Sequence, residues 1–402
     1  MRITGRHILT CIIALTIIAL GTIPAGAADT LVLGYSMAKT GPFVSLSRSN
    51  EVAANMAMEV INAKGGVNGK KLKIVGFDTS GDPKQAAVAV RKFAKDDNAL
   101  AVIGPFSSGE AGVAFKIGEN LGIVQMPMAS SKPGLAKPFK FGFRNTTNEA
   151  ITVMAVMKSL KKHGYPTKNA AIAYGTDDAI SKAMGTGVFP LVVGKQFGVD
   201  IVNVVTFKVK GTFDLSAQVS QLMTKPTDLV AVGAPPEQAI ILVKEMRRQG
   251  HKGRIIAGST ISDPELPEKM GKAGEGTVVP MLWYRDLNDR TKKFSADFAK
   301  QAKAAGLANT IATQFDASTY DIVLIYAEAM KRANVTGDAS KLKKERIAIR
   351  DELSKMKDFP ALEGPISFGA DGDALKTVYV FEIKDGRLGL LDAHSGPSLV
   401  GP

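Results

Sequence analysis

The sequence predicts an α/β fold with two similar lobes, each a mainly parallel sheet flanked by helices. From Leu31 onward, short apolar runs alternate with segments of helical periodicity, which is the pattern of strand–helix–strand units. Two such series follow each other along the 402 residues, separated by a polar segment near Phe141 to Thr147. With 45% hydrophobic and 22% charged residues, the chain can bury sizeable cores.

The first 27 residues have the pattern of a secretory signal. Arg2 and Arg6 precede an apolar run over 8–23, and small residues follow at 25–27. The run is shorter than the roughly 20 apolar residues of a membrane-spanning helix, so we expect cleavage after residue 27. The single cysteine, Cys11, lies in this run. We therefore expect an exported chain with no disulfide and no cysteine nucleophile.

The first α/β series predicts three strands: Leu31 to Ser36, Leu72 to Phe77 and Ala101 to Ile103. The helix between the first two has apolar residues at helical spacing and ends at Gly65. Asp82 is expected to cap the next helix, with Pro83 at its first position. After the third strand the chain turns at Gly104 into a helix beginning near Gly109. This geometry points free backbone amides at a ligand.

The second series has the same character. Its predicted strands are Ala170 to Tyr174, Val199 to Val205, Leu229 to Gly233, Arg254 to Ala257 and an extended stretch from Gly276 to Trp283. Its predicted helices cover 150–163, a segment after Thr176, a segment opened by Pro235 and Pro236, 289–305 and 318–333. The tail from Ile366 to Asp392 predicts short antiparallel strands with turns at 371–372 and 385–386.

The formal net charge of +13 does not by itself indicate a nucleic-acid partner. The basic residues are scattered over helix-like segments such as 158–162 and 341–350, and no aromatic and basic platform accompanies them. We interpret the surplus as a solvated basic surface with a mild long-range attraction for small anions.

No pattern for catalysis or cofactor binding stands out. There is no Walker A loop, HExxH or GxSxG, and the run from Gly185 reaches Pro190 where a dinucleotide fingerprint needs glycine or alanine. Three histidines after the signal, His163, His251 and His394, are far apart in sequence. We therefore expect no metal and no cofactor. The acid pair Asp177–Asp178 is interpreted as loop caps, although a secreted α/β enzyme using this pair stays an alternative.

Several short pieces carry a family resemblance: Thr40–Pro42, Ile61–Gly66, Asp82–Ala86, Val102–Gly104 with Ser107–Ser108, Pro127–Ser130, Thr319–Asp321 with Ala327–Ala329, and Gly364–Phe368. In order and spacing they resemble the periplasmic solute-binding proteins of ABC importers, in particular the leucine/isoleucine/valine-binding type. The resemblance implies a type I clamshell with three hinge crossings. One lobe would comprise 28–147 and 281–362, and the other 148–280 and 363–402.

The resemblance also implies a function without catalysis. Solute would bind between the lobes, the hinge would close, and the closed form would dock on a membrane permease. It implies a periplasmic, monomeric receptor. A sensor that passes its closed state to a regulatory partner is the alternative within this architecture.

Carried over residue by residue, the resemblance places a solute-carboxylate cradle at Ser108, Ala129 and Ser130, and a pocket phenylalanine at Phe315. Leu46 and Ile180 stand where amino-acid binders usually have tyrosines, and Thr260 stands where an acid would pair with the α-ammonium. Because an unpaired buried ammonium is costly, this pattern disfavours an ordinary amino acid.

We therefore expect an organic acid with an apolar body. With Phe43 and Phe106 also near the cleft segments, the expected ligand is an aromatic carboxylate of the benzoate, hydroxycinnamate or aryl 2-oxo acid type. Trp283 and Tyr284 are further aromatic candidates. The alternative is a branched-chain or other amino acid, with Asp263 as the partner of its ammonium group.

Overall fold

The computed structural model describes residues 30–362 and 364–400, so the predicted signal at 1–27 lies outside the described residues. The strands are β1 (Thr30–Met37), β2 (Lys71–Asp78), β3 (Ala101–Ile103), β4 (Val124–Met126), β5 (Asn169–Gly175), β6 (Asp200–Phe207), β7 (Leu229–Gly233), β8 (Arg254–Ala257), β9 (Thr277–Met281), β10 (Phe359–Ala361), β11 (Gly364–Phe368), β12 (Ala374–Leu375), β13 (Val378–Lys384) and β14 (Arg387–His394). The helices are α1 (Val44–Ser47), α2 (Asn50–Ala63), α3 (Pro83–Lys95), α4 (Ser108–Leu121), α5 (Glu149–Lys162), α6 (Ala179–Ala183), α7 (Ser216–Leu222), α8 (Pro236–Arg248), α9 (Leu266–Met270), α10 (Asp289–Ala304), α11 (Gln314–Arg332), α12 (Leu342–Lys355) and α13 (Gly396–Val400).

The first lobe is built on a four-stranded parallel sheet in the order β2-β1-β3-β4. Alternate residues of β1, among them Leu31 and Leu33, pack in one core with α2, α11 and α12. Phe93 and its neighbours on α3, together with Ala114 on α4, pack against the opposite face. The sheet is therefore covered by helices on both sides, as a parallel sheet requires.

The second lobe is built on a seven-stranded sheet in the order β14-β13-β9-β8-β7-β5-β6. Its five strands from β9 to β6 are parallel, and the hairpin of β13 and β14 adds two antiparallel strands beside β9. Helices α7 and α8 cover one face and α5 covers the other. This confirms the predicted mixed α/β fold with mainly parallel sheets, and the predicted turn at 385–386 joins β13 to β14.

The chain passes between the lobes after β4, after β9 and after β12. A buried ion pair joins the first passage to the residue that precedes β12: the Arg144 Nε donates to Asp373 Oδ1 at 2.6 Å, and the Arg144 Nη2 donates to Asp373 Oδ2. Both side chains are almost completely buried. A hydrogen bond from Ala374 N to Arg144 O at 3.0 Å further joins the first passage to the start of β12, just before the third passage.

The family resemblance implies that 363–402 belongs to the second lobe, but the first part of this range packs in the first lobe. Ile366, Phe368 and Ala374 lie in the core of the first lobe, because the short sheet of β10, β11 and β12 packs there. The chain joins the sheet of the second lobe only at Val378.

Two helices also differ from expectation. Helix α11 begins four residues before the predicted position 318, because the Thr313 side chain accepts a hydrogen bond from Asp316 N and the Asp316 carboxylate accepts one from Thr313 N. Helix α6 continues as two π-helical segments, Met184–Val188 and Pro190–Gln196. Pro190 lacks an amide hydrogen, which accounts for the irregular bonding there. Among the described residues, no helix is both long enough and apolar enough to cross a bilayer.

Candidate functional site

A cavity lies where the carboxyl ends of the two parallel sheets face each other, which is the usual place for ligands in open α/β sheets. The first lobe contributes Phe43, Leu46, Phe106, Ser107, Ser108, Ala129 and Phe315 to its lining, and the second lobe contributes Asp178, Ile180, Pro235, Pro236 and Thr260. Of the nine predicted site residues, eight line this cavity, and Ser130 does not. Their contact with a ligand stays a prediction.

Two neighbouring serines at the start of α4 have different roles. Ser107 is the N-cap: its Oγ accepts a hydrogen bond from Glu110 N at 3.3 Å and donates to Glu110 Oε2 at 2.7 Å. Ser108 is the first helical residue, and its Oγ accepts a hydrogen bond from Lys132 N at 3.3 Å. The Ser108 hydroxyl hydrogen is therefore available to donate into the cavity, beside the unpaired amides at the start of the helix.

Ser130 has a structural position behind the cavity wall. It is fully buried, and its hydroxyl donates to Phe106 O at 3.0 Å. Its carbonyl accepts a hydrogen bond from the Arg144 Nη1 at 2.5 Å. Sequence reasoning expected a second ligand-facing hydroxyl here, whereas the structure shows a residue that ties the Ala129 loop to Phe106 and to the hinge ion pair.

Three phenylalanines form one wall of the cavity. The rings of Phe43 and Phe106 lie 5.8 Å apart in a tilted arrangement, and the rings of Phe106 and Phe315 lie 5.3 Å apart edge to face. Trp283 and Tyr284 lie elsewhere: Trp283 packs on Phe294 beside α10, and Tyr284 packs on Phe381 in the second lobe. Neither lines the cavity.

The second-lobe side has one charged lining residue, Asp178. Its Oδ2 accepts hydrogen bonds from Ser181 N at 2.8 Å and Ser181 Oγ at 2.6 Å, which caps α6. Asp177 is a loop cap as interpreted, because it accepts hydrogen bonds from Val209 N and Lys210 N. Sequence reasoning therefore identified the cap but missed that Asp178 also faces the cleft, although it lies two residues before the predicted Ile180.

Asp263, the expected alternative partner of an ammonium group, is held away from the cavity. Its carboxylate forms an ion pair with Lys269 and accepts a hydrogen bond from Glu265 N at 2.9 Å. Thr260 lines the cavity from the short helical turn Ser259–Ile261. That turn is fixed by the buried carboxylate of Glu149, which accepts hydrogen bonds from Ser259 N at 3.0 Å and Ser259 Oγ at 2.7 Å.

The lobes approach closely at the mouth of the cleft. Ser45 Oγ on α1 donates to Glu237 Oε1 on α8 at 2.8 Å. The cavity has about 50 Å³ of space open to the centre of a water molecule. Since a buried water needs roughly 10–15 Å³ on this measure, the space has room for only a few waters in this arrangement of the lobes.

Among the described residues, no group of three or more histidine, cysteine, aspartate or glutamate side chains is arranged to hold a metal ion. The three histidines of the described chain are separate from the cavity. His163 contacts Asp392, His394 contacts Ser159, and His251 is buried in the second lobe.

Comparison with known proteins gives one consistent result. The family model described as periplasmic binding protein matches residues 30–387. A Leu/Ile/Val-binding protein of Rhizobium johnstonii is 25% identical over 367 residues, covering 90% of this chain and 93% of the relative.

Solved structures of the same fold include a leucine-binding protein from Thermotoga maritima, with a TM-score of 0.75 and 23% identity over 91% of this chain and 98% of that one. A solute-binding protein of an ABC transporter from Rhodopseudomonas palustris BisB5, in complex with 3,4-dihydroxy benzoic acid, has a TM-score of 0.76 and 18% identity over 92% of this chain and 98% of that one. The chain belongs to the periplasmic binding protein family, and it is a substrate-binding receptor of the ABC transporter type rather than an enzyme.

Proposed function

We propose that this receptor captures a small aromatic carboxylate between its lobes and delivers it to an ABC permease. The observation that carries the proposal is that one cavity combines a serine hydroxyl at a helix start, which can still donate its hydrogen, with a wall of three phenylalanines. The hydroxyl of Ser108 and the first amides of α4 suit a carboxylate. The phenylalanine rings suit a planar apolar body.

The other lining residues support an apolar ligand body. Leu46, Ile180, Pro235 and Pro236 add aliphatic surface from both lobes. Thr260 is neutral, so it supplies no charge for an α-ammonium group. The complex of the Rhodopseudomonas palustris relative with 3,4-dihydroxy benzoic acid is compatible with a ligand of this class in this fold.

The competing candidate is a branched-chain or other amino acid, and Asp178 is the observation that favours it. This carboxylate lines the cavity, while Oδ2 alone is used in capping α6. Its second oxygen could accept from an ammonium group, as it could from a phenol. Relatives named as Leu/Ile/Val-binding proteins add weight to this candidate.

Calorimetry tests the two candidates directly. The exported protein would be unfolded and refolded to remove carried-over ligand, then titrated with leucine, glutamate, benzoate, 4-hydroxybenzoate, a hydroxycinnamate and phenylpyruvate. Tight binding of an aromatic acid, with no heat from the amino acids, would support the proposal. Tight leucine binding would replace the aromatic ligand by an amino acid and leave the receptor role in place.

The variant Asp178→Asn sharpens this test, because asparagine keeps an acceptor oxygen and can still cap α6. An amino-acid ligand would lose affinity by about tenfold or more, since its ammonium would lose a charged partner. A hydroxylated aromatic acid would lose less, and benzoate would bind equally or more tightly because a negative charge near its site is removed. The size of the change in affinity caused by Asp178→Asn, compared among an amino acid, a hydroxylated aromatic acid and benzoate, therefore distinguishes the two ligand classes.

Location and assembly belong to the same proposal. The family is periplasmic, and we propose that cleavage after Ala27 releases a monomeric receptor. Amino-terminal sequencing of the exported protein and light scattering would test these two points. A first residue other than Ala28, or a mass of twice the exported chain, would contradict them.

A further inference from the structure

The second lobe has a large groove at the end remote from the cleft. It is formed by the amino-terminal ends of β8 and β9, the carboxyl end of α8 and the carboxyl end of β13. The carboxyl ends of the same parallel strands lead to the ligand cavity, so the groove and the cleft lie at opposite edges of one sheet. Its volume is about 1010 Å³.

The lining of this groove is strongly cationic. It contains two carboxylates, Glu275 and Glu382, and seven basic side chains, Lys244, Arg247, Arg248, Lys252, Arg254, Lys272 and Lys384. In the sequence these basic residues are spread over positions 244 to 384. The fold brings them together around one groove.

Both carboxylates already have partners. Glu382 accepts hydrogen bonds from the Arg254 Nη2 at 3.0 Å and from the Tyr165 hydroxyl at 2.8 Å. Glu275 accepts hydrogen bonds from the amides of Asp385 at 3.0 Å and Gly386 at 2.8 Å. Glu382 is neutralised by Arg254, whereas Glu275 keeps its negative charge, so the lining still has five more basic than acidic side chains.

The arginines make a rigid floor rather than free charges. Arg247 donates to four backbone carbonyls, including those of His251 and Gly253 at 2.8 Å. The Arg254 guanidinium lies 3.3 Å above the centre of the Tyr165 ring. Arg248 forms a two-point ion pair with Glu245.

Four lysines, Lys244, Lys252, Lys272 and Lys384, are exposed around this floor, and within the described chain none of them has a hydrogen bond or an ion pair to its ammonium group. Clustered like charges repel one another, and a concave surface concentrates their field. Binding a polyanion would relieve that repulsion. Lysine ammonium groups bind phosphate as point charges.

We propose that this groove is a second binding site, for a compact polyanion whose charge is carried by clustered phosphate groups. The phosphates could come from a free oligophosphate or from the headgroups of an anionic membrane. In either case the site is independent of the cleft, so the receptor can hold solute and polyanion together.

The test compares two variants of equal net charge. In the groove variant, Lys244, Lys252, Lys272 and Lys384 are changed to glutamine. In the control variant, glutamine replaces four exposed lysines of the first lobe that also lack a partner, Lys73, Lys116, Lys140 and Lys343. Calorimetry with tripolyphosphate measures the free source, and co-sedimentation with phosphatidylglycerol vesicles, against phosphatidylcholine vesicles, measures the lipid source.

We expect the exported protein to bind at least one phosphate source, more weakly as salt increases. The groove variant should lose about tenfold or more in affinity, and the control variant should lose less than about threefold. Equal losses in the two variants, or no binding to either source by the unaltered protein, would overturn the proposal. Calorimetry with the compound of the leucine and aromatic-acid panel that binds the unaltered protein most tightly should give the same affinity in all three proteins, so failure of the groove proposal leaves the receptor function unaffected.

Discussion

The clearest test of the cleft is the removal of one hydroxyl group. In Ser108→Ala, the fold should persist because the cap of α4 is Ser107, and because Lys132 is an exposed residue whose amide can bond to water instead of Ser108. The loss is a charge-assisted hydrogen bond to the ligand carboxylate, which contributes about 1 to 3 kcal/mol. Calorimetry should therefore show an affinity about 5- to 150-fold weaker, and chemical denaturation should show the free energy of unfolding changed by less than about 1 kcal/mol.

The neighbouring serine supplies the matched control. Ser107→Ala removes the cap and should lower the free energy of unfolding by about 0.5 to 2 kcal/mol, with a smaller effect on affinity because the Ser107 hydroxyl is engaged by Glu110. If a folded Ser108→Ala protein binds as tightly as the unaltered one, Ser108 does not hold the ligand. Equal affinity losses in both variants would show that the start of α4, not the Ser108 hydroxyl, is responsible.

Three further changes test the cleft, the hinge and a buried histidine. Thr260→Glu should repel a simple carboxylate and favour an α-amino acid, measured with the same ligand panel; no response from either would remove Thr260 from the site. Asp373→Asn should lower the free energy of unfolding by about 3 to 5 kcal/mol, because the buried Arg144 loses its counter-charge; a change below about 1 kcal/mol in denaturation would contradict this. Burial lowers the pKa of His251 to about 4 from 6.5. As pH falls, His251 is therefore protonated in the unfolded chain before it is protonated in the folded protein. The free energy of unfolding should fall by up to about 3 kcal/mol between pH 6.5 and 4. Denaturation of His251→Gln across this range should lack that part of the pH dependence, and an unchanged slope would exclude His251 as its source.

Most of the fold could be predicted because its strands are short apolar runs between clear turn signals. The strands β3, β7 and β8 begin and end at the predicted residues, and Asp82 caps α3 as expected. Two elements were missed or misplaced. Strand β4 was not predicted, and the start of α11 was predicted four residues late, although Thr313 and Asp316 form a capping box there. The placement of β11 with the first lobe depends on packing between distant segments.

The cavity lining was predicted largely because its residues follow strand ends, where local motifs and family resemblance are informative. Which way each side chain points depends on the contacts that it makes in the folded chain. Ser130 turns its hydroxyl to Phe106, 24 residues away in sequence. The Asp263 carboxylate forms an ion pair with Lys269 and does not face the cavity. Asp178 caps α6, as the sequence indicates. It also lines the cleft, which exists only because the two lobes face each other in the fold.

The distribution of polar groups between the lobes suggests how ligand binding drives closure. Ser108 belongs to the first lobe and Asp178 to the second, and both line one cavity. A ligand with a carboxylate and a separate hydrogen-bond donor can contact both groups only when the lobes are closed, so it stabilises the closed state beyond simple binding. Benzoate offers no such donor, whereas 4-hydroxybenzoate does. We therefore expect small-angle scattering to show greater compaction with the hydroxylated acid at saturation. Equal compaction by both acids would mean that the apolar walls close the cleft without Asp178.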